Sequence, residues 1–118
     1  MNEEDWEVFD GYHHKADKKR ADTPSVTLLQ KGNLSLNERA VQVLGNPAYV
    51  ALAYDRARQI IRIRAMPEHT EQSTPLRKVA GKSYNVAAIA FMRYFDIRIG
   101  TTQRYEAEER DGMLYVTL

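Results

Sequence analysis

The sequence contains no cysteine, which excludes disulfide bonds, thiolate nucleophiles, cysteine-ligated zinc and iron–sulfur clusters. It also has no apolar run near the ~20 residues of a membrane span, and its acidic start is unlike a signal peptide. We therefore expect a cytoplasmic protein. An excess of one charge is lacking too, because 17 Lys and Arg face 16 Asp and Glu. Bulk charge therefore does not indicate a nucleic-acid partner.

Motifs that carry catalysis are missing as well. No glycine-rich phosphate loop, HExxH sequence or Gly-x-Ser-x-Gly elbow occurs. His69 stands alone beside Glu68 and Glu71, which is typical of a solvated loop histidine. Glu106 and Glu108 would lie ~7 Å apart on one strand face, a distance suited to glycosidic chemistry, but without a pocket they are typical of a solubilising face. We expect no enzyme, cofactor, metal site or small-molecule substrate.

The chain divides into two unlike stretches near Pro24. Residues 1–24 hold seven acids and four bases, whereas the remainder holds thirteen bases and nine acids. We interpret 1–24 as an N-terminal polar extension and 25–118 as a single domain, which suits the total length of 118 residues. Trp6, Phe9 and Tyr12 recur at three-residue spacing, so on a short helix they would form a stripe that binds a partner's groove. The alternative is a mobile terminus or a clasp on the chain's own body.

From residue 25 onward, the periodicity predicts short strands and helices. Residues 25–30 and 34–36 predict two strands, Asn37 caps a helix that ends at Gly45, and residues 49–54 and 59–65 predict a hairpin. After a polar linker at 67–75, residues 76–80 predict a strand and Asn85 a second helix cap. Apolar residues at 88, 91, 92 and 95 then predict a helix, and Asp111-Gly112 closes a hairpin of 104–110 with 113–118.

The order of these elements predicts an internal repeat. Residues 25–66 and 75–118 each read as strand, turn, short strand, helix and hairpin. A unit of this size buries its own hydrophobic face poorly, so we expect the two to pack on each other. The predicted fold class is α+β, mostly β: a duplicated strand-helix-hairpin unit packed as one domain. A saddle of two α+β repeats, as in the TATA-binding protein, has the same order but more strands per repeat.

The first unit resembles the swapped-hairpin fold of AbrB-type regulators, MazE-type antitoxins and the duplicated MraZ proteins. The resemblance depends on the following residues: Gly32-Asn33-Leu34-Ser35-Leu36, Leu44-Gly45, and the hairpin residues Val50, Leu52, Ile61 and Ile63. It covers 25–66 by motif and 75–118 by element order only. It implies interlocked hairpins, in a dimer or pseudo-dimer, that bind DNA through basic residues near the first strand and loop.

The sequence departs from this family where DNA contacts are expected. Asn33 and Asn37 replace the usual Arg and Pro, and Val41 and Gln42 replace helix arginines. The basic residues that remain near the first strand and helix are Lys31 and Arg39.

A row of alternate positions follows, in which Ile60 stands between two pairs of arginines: Arg56, Arg58, Arg62 and Arg64. On a strand, Arg62 and Arg64 would point away from the core and can bind phosphates. One alternative is a solvated face that guards a sheet edge with charge. Another is pairing with the acidic second hairpin, across an internal or dimer contact.

These residues predict a small cytoplasmic DNA-binding regulator of swapped-hairpin type. Its DNA contacts would be Lys31, Arg39, Arg56, Arg58, Arg62 and Arg64, and its partners duplex DNA and a second copy of the chain. The alternative is a protein-interaction or assembly adaptor that uses its hairpin faces and the aromatic extension, and binds no nucleic acid. The location of the basic side chains discriminates the two, since a regulator needs them on one continuous surface.

Overall fold

A computed structural model describes residues 23–79, 81 and 83–118. The aromatic residues of the extension, Trp6, Phe9 and Tyr12, lie outside the described residues. About 47% of the described residues are in strands and 13% in helices, so the fold is mostly β. Among them are two six-residue helices, α1 (Glu38–Val43) and α2 (Ile89–Tyr94). The strands in these ranges are β1 (Ser25–Leu28), β2 (Leu34–Asn37), β3 (Tyr49–Asp55), β4 (Ile60–Met66), β5 (Ser73–Lys78), β6 (Ser83–Val86), β7 (Gln103–Glu106), β8 (Glu108–Arg110) and β9 (Met113–Thr117).

The strands form one antiparallel sheet in the order β7-β1-β2-β6-β5-β3-β4-β9-β8. β5 connects the two halves of the sheet, because its residues 73–75 pair with β3 and its residues 76–78 pair with β6. The two end strands, β7 and β8, are consecutive in the chain and are joined by Ala107 alone. Ala107 is buried and its N–H donates to the Pro24 carbonyl. The sheet therefore curls into a nearly closed barrel.

The prediction of a duplicated strand-helix-hairpin unit is wrong. The hairpins β1–β2 and β3–β4 both belong to 25–66, yet β6 and β5 from the second segment lie between them in the sheet. The second predicted hairpin is also divided, since β7 pairs with β1 whereas β8 pairs with β9. Residues 73–75, expected in a linker, are strand. The physical reason is that each short hairpin buries its apolar face only by joining strands from the other segment.

The core lies between the inner faces of the curled sheet. Inward-facing residues alternate with outward ones along each strand, as strand geometry requires. The largest fully buried side chains are Leu34, Leu36, Ile61, Ile63, Leu114, Val26, Val50, Val86 and Val116. α1 packs against β1, β2, β6 and β9 through buried Ala40 and Val41, which covers part of this core.

Three local predictions have different outcomes. Asn37 caps α1 as expected, because its Oδ1 accepts from the Ala40 N–H at 2.9 Å. Asp111 and Gly112 both have positive φ, as the predicted hairpin turn requires. Asn85 is not a cap: it lies in β6, and α2 begins after Ala88 without a side-chain cap. Pairing of Asn85 with Ser35 and Arg77 in the sheet explains why the helix starts later.

Candidate nucleic-acid interface

The candidate site lies on the outer face of β3, β4, β9 and β8. Ile61 and Ile63 are buried, so the alternating Arg62 and Arg64 point outward and are exposed, as predicted. Arg62 lies opposite Ala53 on one side and Tyr115 on the other. Because alanine is small, it leaves the arginine guanidinium groups open to solvent on the β3 side.

Two further arginines lie near Arg62. Arg58, from the β3–β4 turn, and Arg110, from β8, line a cavity of about 230 Å³ together with Arg62. The Arg110 guanidinium lies over the Tyr115 ring, 4.7 Å from its centroid, which fixes its position. We call Arg58, Arg62, Arg64 and Arg110 the arginine patch.

Acidic side chains neutralise only part of the arginine patch. Arg110 forms an ion pair with Glu108 at 2.8 Å, and Arg58 approaches Asp55 at 3.9 Å. Within the part of the chain that the structure describes, Arg62 and Arg64 form no ion pair. The patch therefore keeps a local excess of positive charge.

The expected alternative, in which Arg62 and Arg64 pair with the acids of the second hairpin inside one chain, does not occur among the described residues. Glu108 is engaged by Arg110 instead. Glu106 lies on β7, opposite Ser25 at the other end of the sheet order. The division of 103–110 at Ala107 places these two glutamates on the two end strands of the sheet.

The remaining predicted DNA contacts are distributed over the surface. Arg56 lies beside the arginine patch in the β3–β4 turn, with its guanidinium 5.1 Å from the Phe95 ring centroid. Lys31 lies in the β1–β2 turn, where it lines a cavity with α2 residues. Arg39 is exposed in the first turn of α1, at the opposite end of β2 from Lys31. The structure thus brings Arg58 to Arg62, with Arg64 on the same strand face and Arg56 in the adjoining turn, and leaves Lys31 and Arg39 on other elements.

Sequence reasoning missed Arg110 and Tyr115. They lie on the two strands joined by the Asp111-Gly112 turn, which the sequence identified, but β9 carries Tyr115 next to Arg62 of β4, some fifty residues earlier in the chain. The local signal for an outward position was present in the alternation with buried Leu114 and Val116. This alternation does not indicate which strand lies next to β9 in the sheet.

The described ranges also bear on a metal site and on a membrane span. They contain no group of three or more His, Asp or Glu side chains placed to hold a metal ion. They also contain no helix long and apolar enough to cross a membrane. His69 is exposed, and its ring meets Tyr49 edge-on at 5.5 Å.

Comparison with protein-family models, with curated proteins and with solved structures finds no match for this chain. The resemblance of residues 25–66 to the AbrB, MazE and MraZ proteins therefore stays a prediction.

Proposed function

We propose that this protein binds DNA through the arginine patch and acts as a small, non-enzymatic, cytoplasmic regulator. The observation that carries the proposal is the pair Arg62 and Arg64. Both are exposed on one strand face, ~7 Å apart by twice the rise per residue, and neither has an acidic partner among the described residues. Like charges at this spacing repel each other, and a bound polyanion would remove that cost.

The position of β4 argues against a simple edge guard. Charged residues on edge strands prevent sheets from pairing with other chains. β4 is not an edge strand, because it pairs with β3 on one side and β9 on the other. The pairing with β9 covers Ile60–Ile63, so Arg62 does not protect an edge of the sheet, whereas Arg64 lies one residue beyond it and pairs with β3 alone. Edge protection therefore does not explain the presence of Arg62.

The chemistry of the arginine patch suits phosphate. The guanidinium fork matches two phosphate oxygens, and arginine is more weakly hydrated than lysine. Arginines that neutralise several phosphates release bound counterions, which makes the affinity depend strongly on salt. Such contacts position a protein on DNA without reading its sequence. The patch supports general DNA binding, in keeping with what the family resemblance implies.

A binding titration tests this proposal. Wild-type protein should bind random-sequence duplex DNA at about 50 mM salt, where non-specific affinity is high. The double variant Arg62→Ala/Arg64→Ala should bind more weakly for every sequence, and its salt slope should fall by about one unit per lost contact.

The matched control is Arg77→Ala/Arg104→Ala, which removes the same charge. Both side chains are exposed, on β5 and β7 outside the arginine patch. The control should lose much less affinity than the Arg62/Arg64 variant. Absence of wild-type binding, or equal losses in the two double variants, would disprove the proposal.

A further inference from the structure

The arginine patch is a sheet face that combines cations with apolar surface. Arg62 and Arg64 form no ion pair among the described residues. The cavity of about 230 Å³ beside Arg62 is also lined by Ala53, Ile60 and Tyr115. A partner that covers this face therefore needs several acidic groups together with an apolar or aromatic group.

The first part of the N-terminal extension has this composition. Residues 3–10, which lie outside the described residues, contain no base and five acids: Glu3, Glu4, Asp5, Glu7 and Asp10. Trp6 and Phe9 stand between these acids. Residues 11–22 hold four bases and two acids, so the negative charge of the extension is concentrated at 3–10. Carboxylates form charge-assisted hydrogen bonds with arginine, and aromatic rings stack on its guanidinium plane.

The extension joins the domain beside the arginine patch. The Pro24 carbonyl accepts from the Ala107 N–H at 2.9 Å. Ala107 directly precedes β8, and Arg110 of the patch follows three residues later, which is at most ~11 Å along the chain. The connecting residues 11–22 can span up to ~40 Å. Residues 3–10 are therefore tethered within reach of the patch, and such a tether gives an effective concentration of about millimolar.

We propose that residues 3–10 bind the arginine patch when no DNA is present, and that duplex DNA displaces them. Carboxylates of this segment pair with Arg62 and Arg64, and the Trp6 ring occupies the cavity beside Tyr115. The segment and the DNA backbone need the same guanidinium groups, so they exclude each other. This inference rests on the proposed DNA binding and adds its regulation, because the apparent affinity for DNA is reduced to the fraction of protein whose patch is open.

Trp6 is the only tryptophan in the chain, so its fluorescence reports the segment directly. Acrylamide, an uncharged quencher, should quench Trp6 in the DNA-free protein less than it quenches free N-acetyl-tryptophanamide. Arg62→Ala/Arg64→Ala should raise the quenching constant toward that of the free compound, and so should addition of duplex DNA to the wild type. The matched control Arg77→Ala/Lys78→Ala, which removes the same charge from exposed positions of β5, should leave the constant unchanged.

Binding titrations of the full chain measure the competition. Glu4→Gln/Glu7→Gln should bind duplex DNA about 2- to 10-fold more tightly than the wild type, which corresponds to a segment that covers about 50–90% of the patches. Asp17→Asn/Asp22→Asn changes the charge of the extension equally but lies outside 3–10, and it should alter the affinity much less. Equal gains in the two variants would indicate a general effect of charge and overturn the competition.

Three results of the quenching experiment would overturn the contact. Wild-type quenching equal to that of the free compound would show that nothing covers Trp6. Protection that survives in Arg62→Ala/Arg64→Ala would place the segment elsewhere, for example on the bases of residues 11–22. Protection that grows with protein concentration would assign the segment to a second copy of the chain. These results need no DNA, whereas failure of the wild type to bind DNA would overturn the proposed function, so the two failures are distinguishable.

Discussion

Arg62 and Arg64 place two positive charges on the outer face of β4, and neither forms an ion pair with an acid among the described residues. Residues selected for stability at such positions are usually β-branched or paired with opposite charge across the strands. The DNA binding that we propose would supply the negative charge that this pair of arginines lacks.

The folded state should not depend on these two arginines. We expect Arg62→Ala/Arg64→Ala to change the free energy of unfolding by no more than about 0.5 kcal/mol, since both side chains are exposed. Urea denaturation of the free protein measures this change. A loss of several kcal/mol would assign the arginines to the fold and remove the argument for a ligand.

Gly32 is a residue whose replacement should be costly. Its φ is +102°, and a Cβ there would lie 3.0 Å from Ile89 Cγ1. Gly32→Ala should therefore destabilise the protein by about 1–3 kcal/mol, through backbone strain and displacement of α2. Denaturant unfolding monitors the change.

Gly100→Ala is the matched control for this substitution. A Cβ at Gly100 would meet nothing within 4 Å, and its φ lies outside the left-handed region. Its stability should stay close to wild type. Equal effects at the two glycines would contradict the packing of α2 on the β1–β2 turn.

At the scale of elements, Asn37 links β1, β2 and α1. Its Oδ1 accepts from the N–H groups of Ala40 and Ser25, at 2.9 and 3.1 Å, and its Nδ2 donates to the Thr23 carbonyl. One side chain thus caps α1 and accepts a hydrogen bond from the first residue of β1.

Asn37→Ala should lower the free energy of unfolding by about 2–3 kcal/mol, because it removes a helix cap and leaves a partly buried N–H without an acceptor. Asn37→Asp keeps an acceptor oxygen and should retain a larger part of the stability. Thermal unfolding followed by circular dichroism compares the two. If Asn37→Ala melted like the wild type, the cap would have no energetic role.

At the scale of the whole molecule, the interleaving of strands makes the two halves of the chain interdependent. β2 pairs with β6, β3 with β5, β4 with β9 and β1 with β7, and each pair joins one half to the other. The buried residues of both halves form one core cluster. Neither half contains a face that it can bury alone.

We therefore expect the full chain to unfold in one cooperative step and its halves, cut in the 67–72 segment, to be unfolded when separate. Circular dichroism melts of the whole chain and of the fragments 1–70 and 71–118 test this expectation. A cooperative melt of either fragment would show that a half folds independently and would contradict the observed dependence of the core on both.

The sequence by itself determined the local features. Alternation of Ile61 and Ile63 with Arg62 and Arg64 identified a strand and its outward face, and Asn37 and Asp111-Gly112 identified a cap and a turn. Each of these depends on interactions within a few residues, which the order of side chains specifies directly.

Only the tertiary structure decided which strands are neighbours. It divided 103–110 at Ala107, placed Arg110 and Tyr115 beside Arg62, brought α2 to the β3–β4 turn, and replaced the expected repeat with one interleaved sheet. The periodicity of a strand indicates which of its faces is buried. It does not indicate the neighbouring strand, because backbone hydrogen bonds depend little on side-chain identity. The partner of each strand is therefore set by how all the apolar faces can be buried at once.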